Sequence, residues 1–269
     1  AGVLQRRLSR TPDNRFIDRY EQRGKRASHR WAVACIQVVG VGLRVAIVHY
    51  WLVGMRGGER VLERILNLYP NADIFTHAYA PERVSDRIRS ANVQTSFIQK
   101  LPGAVKHYQK YLPLMPRALE ALDLSAYDLV ISSEAGPAKG VIAKPDAAHV
   151  CYCHSPMRYL WDQAALYRKN AGLVARLGMD LFSHDLRIWD VTSAQRVDRF
   201  MANSNFIASR IRKYYRRDAA VVFPPVEVDA FTISRDVESH YLWLGQMTAY
   251  KRPDLAVEAF NRLGLPLLM

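Results

Sequence analysis

The stretch Ala147-Ala-His-Val-Cys-Tyr-Cys-His-Ser-Pro156 constrains what this chain can fold into more than any other part of it. An apolar, alternating run is halted by a histidine, a hydroxyl and a proline, and the basic-aromatic segment Met157-Arg-Tyr-Leu-Trp-Asp162 follows at once. Open parallel α/β sheets deliver polar groups in this way to the carboxyl ends of buried strands, where such folds place their ligands. A second edge of the same kind lies near residue 50, where Val45-Ala-Ile-Val48 runs into His49-Tyr-Trp51 and then Gly54-Met-Arg-Gly-Gly-Glu-Arg60. Two strand-end sites in one chain predict a cleft enzyme without naming its reaction.

The rest of the sequence alternates between the strand and helix periods. Strands are predicted over 43–48, 72–76, 93–97, 127–132, 149–153, 200–202 and 220–223. Helices are predicted over 57–68, with Val61, Leu62, Ile65 and Leu68 on one face, and over 136–142, 173–199 and 206–215. Pro113 and Pro116 break the helical material of 108–124. This is the pattern of an α/β, doubly wound, Rossmann-like parallel sheet. After the Pro224-Pro225 turn and a polar stretch over 232–239 the pattern restarts, with a strand over 239–244, a helix over 253–263 and a strand from 266. A β-α-β piece of that size cannot bury a core of its own, so it leans on the first domain or begins a second.

A hydrophobic fraction of 49% excludes a disordered chain. Three cysteines (Cys35, Cys151, Cys153) give no disulfide framework, which makes a reducing cytosol the default compartment. The net charge of +13 is uneven, because residues 1–44 hold ten Lys or Arg against three acids. A basic field favours anionic partners but does not separate nucleic acid from an anionic bilayer or a phosphorylated substrate. The apolar stretch over 31–53 is interrupted by Arg44. It reads as a spanning helix, as a buried or surface-seated segment, or as a prefix outside the folded unit, and residues 1–30 are expected to pack poorly.

Each constellation has a plain reading beside a chemical one. Gly54-Met-Arg-Gly-Gly58 lacks the dinucleotide spacing and the P-loop Lys, so it is either a tight structural turn or an anion loop at a helix start. Cys151-Tyr-Cys153-His154 is a poor zinc site, because on a strand the two cysteines share one face and His154 the other; buried, quiet cysteines fit better. His154, where the strand gives way to Ser155-Pro156, is a candidate ligand contact. Ser132-Ser133-Glu134 offers hydroxyl and carboxylate contacts or a helix cap, and no Gly-x-Ser-x-Gly accompanies it. Asn203-Ser-Asn205 reads as a cap, and Arg210, Arg212, Lys213, Arg216 and Arg217 as a solvated basic face. Lys251, just before the helix that starts with Pro253-Asp254, can add a point charge to an anion held there.

In order along residues 43–269, several segments resemble the bacterial family 4 glycosyltransferases of the retaining, GT-B-fold type. They are His49-Tyr-Trp-Leu-Val-Gly-Met-Arg-Gly-Gly-Glu-Arg-Val61, Tyr127-Asp-Leu-Val-Ile-Ser-Ser133 with Ala138-Lys-Gly-Val141, and His149-Val-Cys-Tyr-Cys-His-Ser-Pro-Met-Arg-Tyr-Leu-Trp-Asp162. Asn203-Ser-Asn205, Tyr215, Phe223-Pro-Pro-Val226, Tyr241-Leu-Trp-Leu-Gly245 and Tyr250-Lys-Arg-Pro-Asp254 continue the series. The similarity extends to the branch with lipopolysaccharide and exopolysaccharide mannosyltransferases.

That resemblance implies a hexosyltransferase acting with retention, moving mannose from GDP-mannose to a lipid-linked or nascent polysaccharide acceptor. The alternative is a non-catalytic binding module that keeps only the acceptor-side domain. It implies a basic extension over 1–42, an acceptor-side domain over 43–230 and the truncated start of a donor-binding domain over 231–269, with weak donor binding as the consequence. Gly57 and Gly58 would border the donor phosphate and sugar, and His154 would contact the transferred hexose. Lys251 would hold the diphosphate, with Gln246 standing where the family pattern has Arg; glutamine brings a hydrogen bond but no charge. The chemistry implied is metal-independent and needs no cofactor. The expected setting is cytoplasmic, peripheral on the inner face of the cell membrane, with an anionic membrane surface as a partner. With no recognition motif present, nucleic acid is not expected as a partner.

Overall fold

A computed structural model describes residues 42–232, 237–245, 247–248 and 251–269. Residues 1–41, which hold the basic extension up to Gly42 and the first part of the apolar 31–53 stretch, and Gln246 lie outside these residues. Two compact units divide between Pro225 and Val226.

In the first unit seven strands form one parallel sheet: β1 Val45–His49, β2 Asp73–Thr76, β3 Val93–Thr95, β4 Leu129–Glu134, β5 Ala148–Cys153, β6 Arg199–Ala202 and β7 Ala219–Val221. Their order is β3-β2-β1-β4-β5-β6-β7. The chain builds outward from β1 to β3, returns to lay β4 against β1, and then proceeds to β7. The reversal opens a crevice at the carboxyl ends of β1 and β4, where doubly wound sheets bind ligands.

Strand alternation divides the core into two layers. Val45, Ile47, Ile131 and Tyr152 face Val61, Leu62, Ile65 and Leu66 of the helix Gly57–Leu68. Leu68, expected on that face, is exposed at the helix end; Leu66 is buried instead, beside Val84 and Ile88. The opposite layer packs Ala46, Val48 and Val130 against Leu119, Leu124 and Tyr127. Further along the sheet, Cys151, Cys153, Phe200 and Ala202 meet Ile207, Ile211 and Tyr215 of the helix Asn205–Tyr215. β1 is buried along its whole length, as a central parallel strand must be, so Ile47→Ala would cost about 2–5 kcal/mol.

The helix expected over 136–142 does not form. Pro137 would suit a first helical turn, but the segment stays irregular and buries Ala138, Lys139 and Val141. Gly140 is required there: a Cβ would lie 2.0 Å from the Trp189 ring. The long helix ends earlier than expected, at Leu173–Ala194, and a shorter helix, Ala164–Asn170, precedes it. The material over 108–124 resolves into a 3-10 segment, Tyr108–Leu114, and the helix Met115–Glu120, with Pro116 in its first turn.

The second unit pairs β8 Tyr241–Leu242 with β9 Leu267–Leu268 in parallel through the helix Pro253–Leu263. The Tyr241 and Phe260 rings meet at 5.1 Å. Among the described residues no helix is long and apolar enough to cross a membrane, and the end of the 31–53 stretch is the buried strand β1.

Candidate active site at the strand ends

Register brings the site together. His49 of β1 pairs laterally with Ser133 of β4, and Ser133 with Tyr152 of β5, one layer of side chains pointing the same way. His154, just past β5, extends that layer. Ser133 Oγ lies 3.1 Å from His49 Nδ1 and 3.0 Å from His154 Nε2, so one hydroxyl bridges two imidazoles. His49 and Ser133 are fully buried, and His154 is half-buried. The His154 backbone is held at both ends, its N–H donating to the Glu134 carbonyl at 2.7 Å and its carbonyl accepting from Asn203 Nδ2 at 3.1 Å. Burial, reinforced by His49, pushes the His154 ring down to about 4, which keeps it neutral near pH 7.

The glycine turn closes over this pair. A Cβ at Gly58 would sit 2.6 Å from Tyr50 Oη, 3.6 Å from His154 Nε2 and 3.6 Å from His49 Cε1, so only glycine lets the helix start approach so closely. Gly57 is exposed, and a Cβ there would meet nothing within 4 Å. Glu59, nearly fully buried, accepts the Arg56 N–H at 3.0 Å and lies 3.7 Å from His49 Nε2. Burial works against its charge, but the His49 ring and the nearby backbone N–H groups prevail and hold the carboxyl below its ordinary value. Burial and the Glu59 carboxylate push the Tyr50 phenol well up.

The opposite layer carries a second polar cluster that sequence reasoning missed. Lys139 Nζ lies 3.2 Å from Glu134 Oε1 and in close contact with Asp190, with all three side chains fully buried. Asp190 also accepts from Trp161 Nε1 at 2.7 Å and from Tyr215 Oη at 3.0 Å. Burial acts to discharge Lys139, yet Asp190 and Glu134 more than offset it and hold the ammonium well up. Burial pushes Glu134 up to about 7, against the pull of the Lys139 ammonium. The one sequence signal was Asp190, a carboxylate placed on the apolar face of a long helix.

Other expectations resolve locally. Ser132 bonds His149 at 2.9 Å rather than facing the crevice. Cys151 and Cys153 are buried, with thiols pushed well up by burial. Among the described residues no group of His, Cys, Asp and Glu could hold a metal ion. Ser204 caps its helix, accepting the Ile207 N–H at 3.3 Å. Arg210 corrects the solvated-face reading: it is buried, donates to Ser155 Oγ at 2.5 Å and pairs with Asp162, tethering the segment after His154.

Of the residues singled out in the sequence, His154 and Gly58 thus meet at one place with His49, and Gly57 stands beside them at the helix start. Lys251 lies in the second unit, exposed, immediately before the helix Pro253–Leu263, with its N–H donating to Thr248 O at 2.9 Å.

No curated protein matches the sequence. One solved structure that matches is an α-glucosyltransferase in complex with UDP and a 13-mer DNA containing a central A:G mismatch. It shares 13% identity and a TM-score of 0.40, covering 84% of this chain, which spans 55% of that one. A likeness that distant carries no argument about ligands. The expectation that excluded nucleic acid is withdrawn, since that glucosyltransferase is in complex with DNA. The Glycosyltransferase Family 4 signature matches residues 55–230, well over half of the sequence. The seven-stranded parallel sheet is the N-terminal architecture of the GT-B fold, and the chain belongs to glycosyltransferase family 4.

Proposed function

We propose that this chain transfers a hexose from a sugar nucleotide to an acceptor hydroxyl with retention, the donor being GDP-mannose and the acceptor a lipid-linked or nascent polysaccharide. The observation that carries this reading is the hydrogen-bonded His49–Ser133–His154 array, with a neutral His154, beneath Gly58 at the switch point of a family 4 chain. A neutral imidazole orients hydroxyls without competing for the diphosphate, which suits His154 to the transferred hexose. Gly57 and Gly58 leave the helix start open to a phosphate or sugar. In the second unit Lys251 supplies a point charge to the leaving diphosphate, and Gln246 supplies a hydrogen bond. A hydrolase working through two carboxylates would need both facing one ligand. Glu59 is instead engaged with Arg56 and His49, and Glu134 belongs to the opposite layer.

The site works at the inner face of the cell membrane in this reading. Leu173, Leu177, Leu181 and Ile188 fall on one side of the helix Leu173–Ala194 and are 82%, 62%, 61% and 52% exposed, with Arg168 and Lys169 just before it. Such a stripe suits the boundary of an anionic bilayer. Flotation with phosphatidylglycerol vesicles should carry the protein, and Leu177→Gln with Leu181→Gln should release it.

Transfer is tested by supplying GDP-mannose and a polyprenyl-linked saccharide, with UDP-glucose in a parallel arm. An α-linked product, lost in His154→Ala while circular dichroism is unchanged, supports the reading. Transfer from UDP-glucose alone would replace the donor. An inverted product, or acceptor binding with no transfer from either donor, would refute it.

A further inference from the structure

Four side chains form a continuous polar line across the carboxyl ends of the sheet. Glu59 lies 3.7 Å from His49 Nε2, His49 Nδ1 is 3.1 Å from Ser133 Oγ, and Ser133 Oγ is 3.0 Å from His154 Nε2. Three of the four are at least 98% buried, so water does not compete along the line. Ser133 has one proton, and it gives that proton to one ring and accepts from the other. Which way it points is decided at the far end. His49 Nε2 is a buried nitrogen with no hydrogen-bond partner, facing a carboxylate that is already fixed by the Arg56 N–H. A lone pair there would repel the carboxylate, whereas an N–H is attracted to it.

We infer that Glu59, acting through His49 and Ser133, fixes the tautomer of His154 with its proton on Nε2 and a free acceptor at Nδ1. With the proton of His49 on Nε2, its Nδ1 accepts from the Ser133 hydroxyl. Ser133 Oγ is then left to accept from His154 Nε2–H, and His154 presents Nδ1 as an acceptor. Such a ring takes a hydrogen bond from a hydroxyl and donates nothing there to a phosphate. Glu59, His49 and Ser133 are positioning residues, and their action deepens the proposal that His154 meets the hexose rather than the diphosphate.

Glu59→Gln inverts the line without changing its shape. The glutamine carbonyl takes over the Arg56 N–H, so its amide donates to His49 Nε2 and each proton along the line shifts to the other partner. The test is the imidazole nitrogen spectrum of the full chain labelled on histidine, recorded at pH 8.5, where histidine is ordinarily neutral. His154 should carry Nε2–H in the native protein and Nδ1–H in E59Q. In E59Q with Ser133→Ala the two rings should no longer respond together. Nδ1–H on His154 in the native protein, or a His154 unmoved while His49 switches in E59Q, would overturn the inference. Should E59Q not fold, the native spectrum alone decides. The readout needs no ligand, so failure of sugar-nucleotide transfer would count against the proposed function and leave the tautomer result standing.

Discussion

Ser132 and Ser133 are neighbours in β4 with opposite fates, and the contrast separates two regions of this protein. Ser133 joins the layer beneath Gly58, where one hydroxyl bridges two imidazoles and His154 is half-buried. Ser132 and Glu134 join the other layer, where an ammonium and two carboxylates are sealed with Trp161 and Tyr215. One step along a strand exchanges a surface that can meet a ligand for one that can only hold the fold. The sealed layer still serves the open one, because the Glu134 carbonyl holds the His154 N–H.

The contrast can be broken most forcefully in the sealed layer. Lys139→Met leaves two buried carboxylates without their cation and should cost about 3–5 kcal/mol in urea unfolding; a loss under about 1 kcal/mol would mean water reaches the cluster. Gly58→Ala drives a methyl against Tyr50 Oη and should cost about 1–3 kcal/mol, together with a displaced His154 signal. His154 and Glu134 should also titrate in opposite senses, each by up to about 1.4 kcal/mol per pH unit. His154 is depressed from 6.5 to about 4, so its contribution is present above 6.5 and lost as pH falls toward 4. Glu134 is raised from 4.5 to about 7, so its contribution is present below 4.5 and lost as pH rises to 7. His154→Gln should lessen the first limb of the stability profile, which the similarly depressed His77 and His149 share, and Glu134→Gln should flatten the second; a swap of those outcomes would reverse the assignment. Gly57→Ala should change stability by no more than about 1 kcal/mol, and in the favourable direction, since alanine suits a helix better and finds open space.

The sheet was legible because buried parallel strands are short apolar runs that end on polar residues, as at Val48-His49 and Cys153-His154. The meeting of His49, Gly58 and His154 was legible for the same reason, each being placed by a strand end or the turn after it. What the sequence hid was lateral. Whether Ser132 or Ser133 faces the crevice depends on β1–β4 register, and Lys139 and Asp190 are 51 residues apart, joined only by packing. The helix expected over 136–142 failed for that reason, since the need to bury Lys139 between two carboxylates overrode local pattern. Arg210 looked like one of five solvated charges because its partners Ser155 and Asp162 come from a distant loop.

The central claim is that the open layer, and not the sealed one, meets a hexose. Titrating the histidine-labelled chain with GDP-mannose to millimolar concentration tests it directly, since weak binding still moves imidazole signals. The account predicts that His154 and His49 shift together while His149, bonded to Ser132 in the other layer, stays in place, and that His154→Ala abolishes the response. Shifts at His149 alone, or none at either strand-end histidine with GDP-mannose or UDP-glucose, would contradict it.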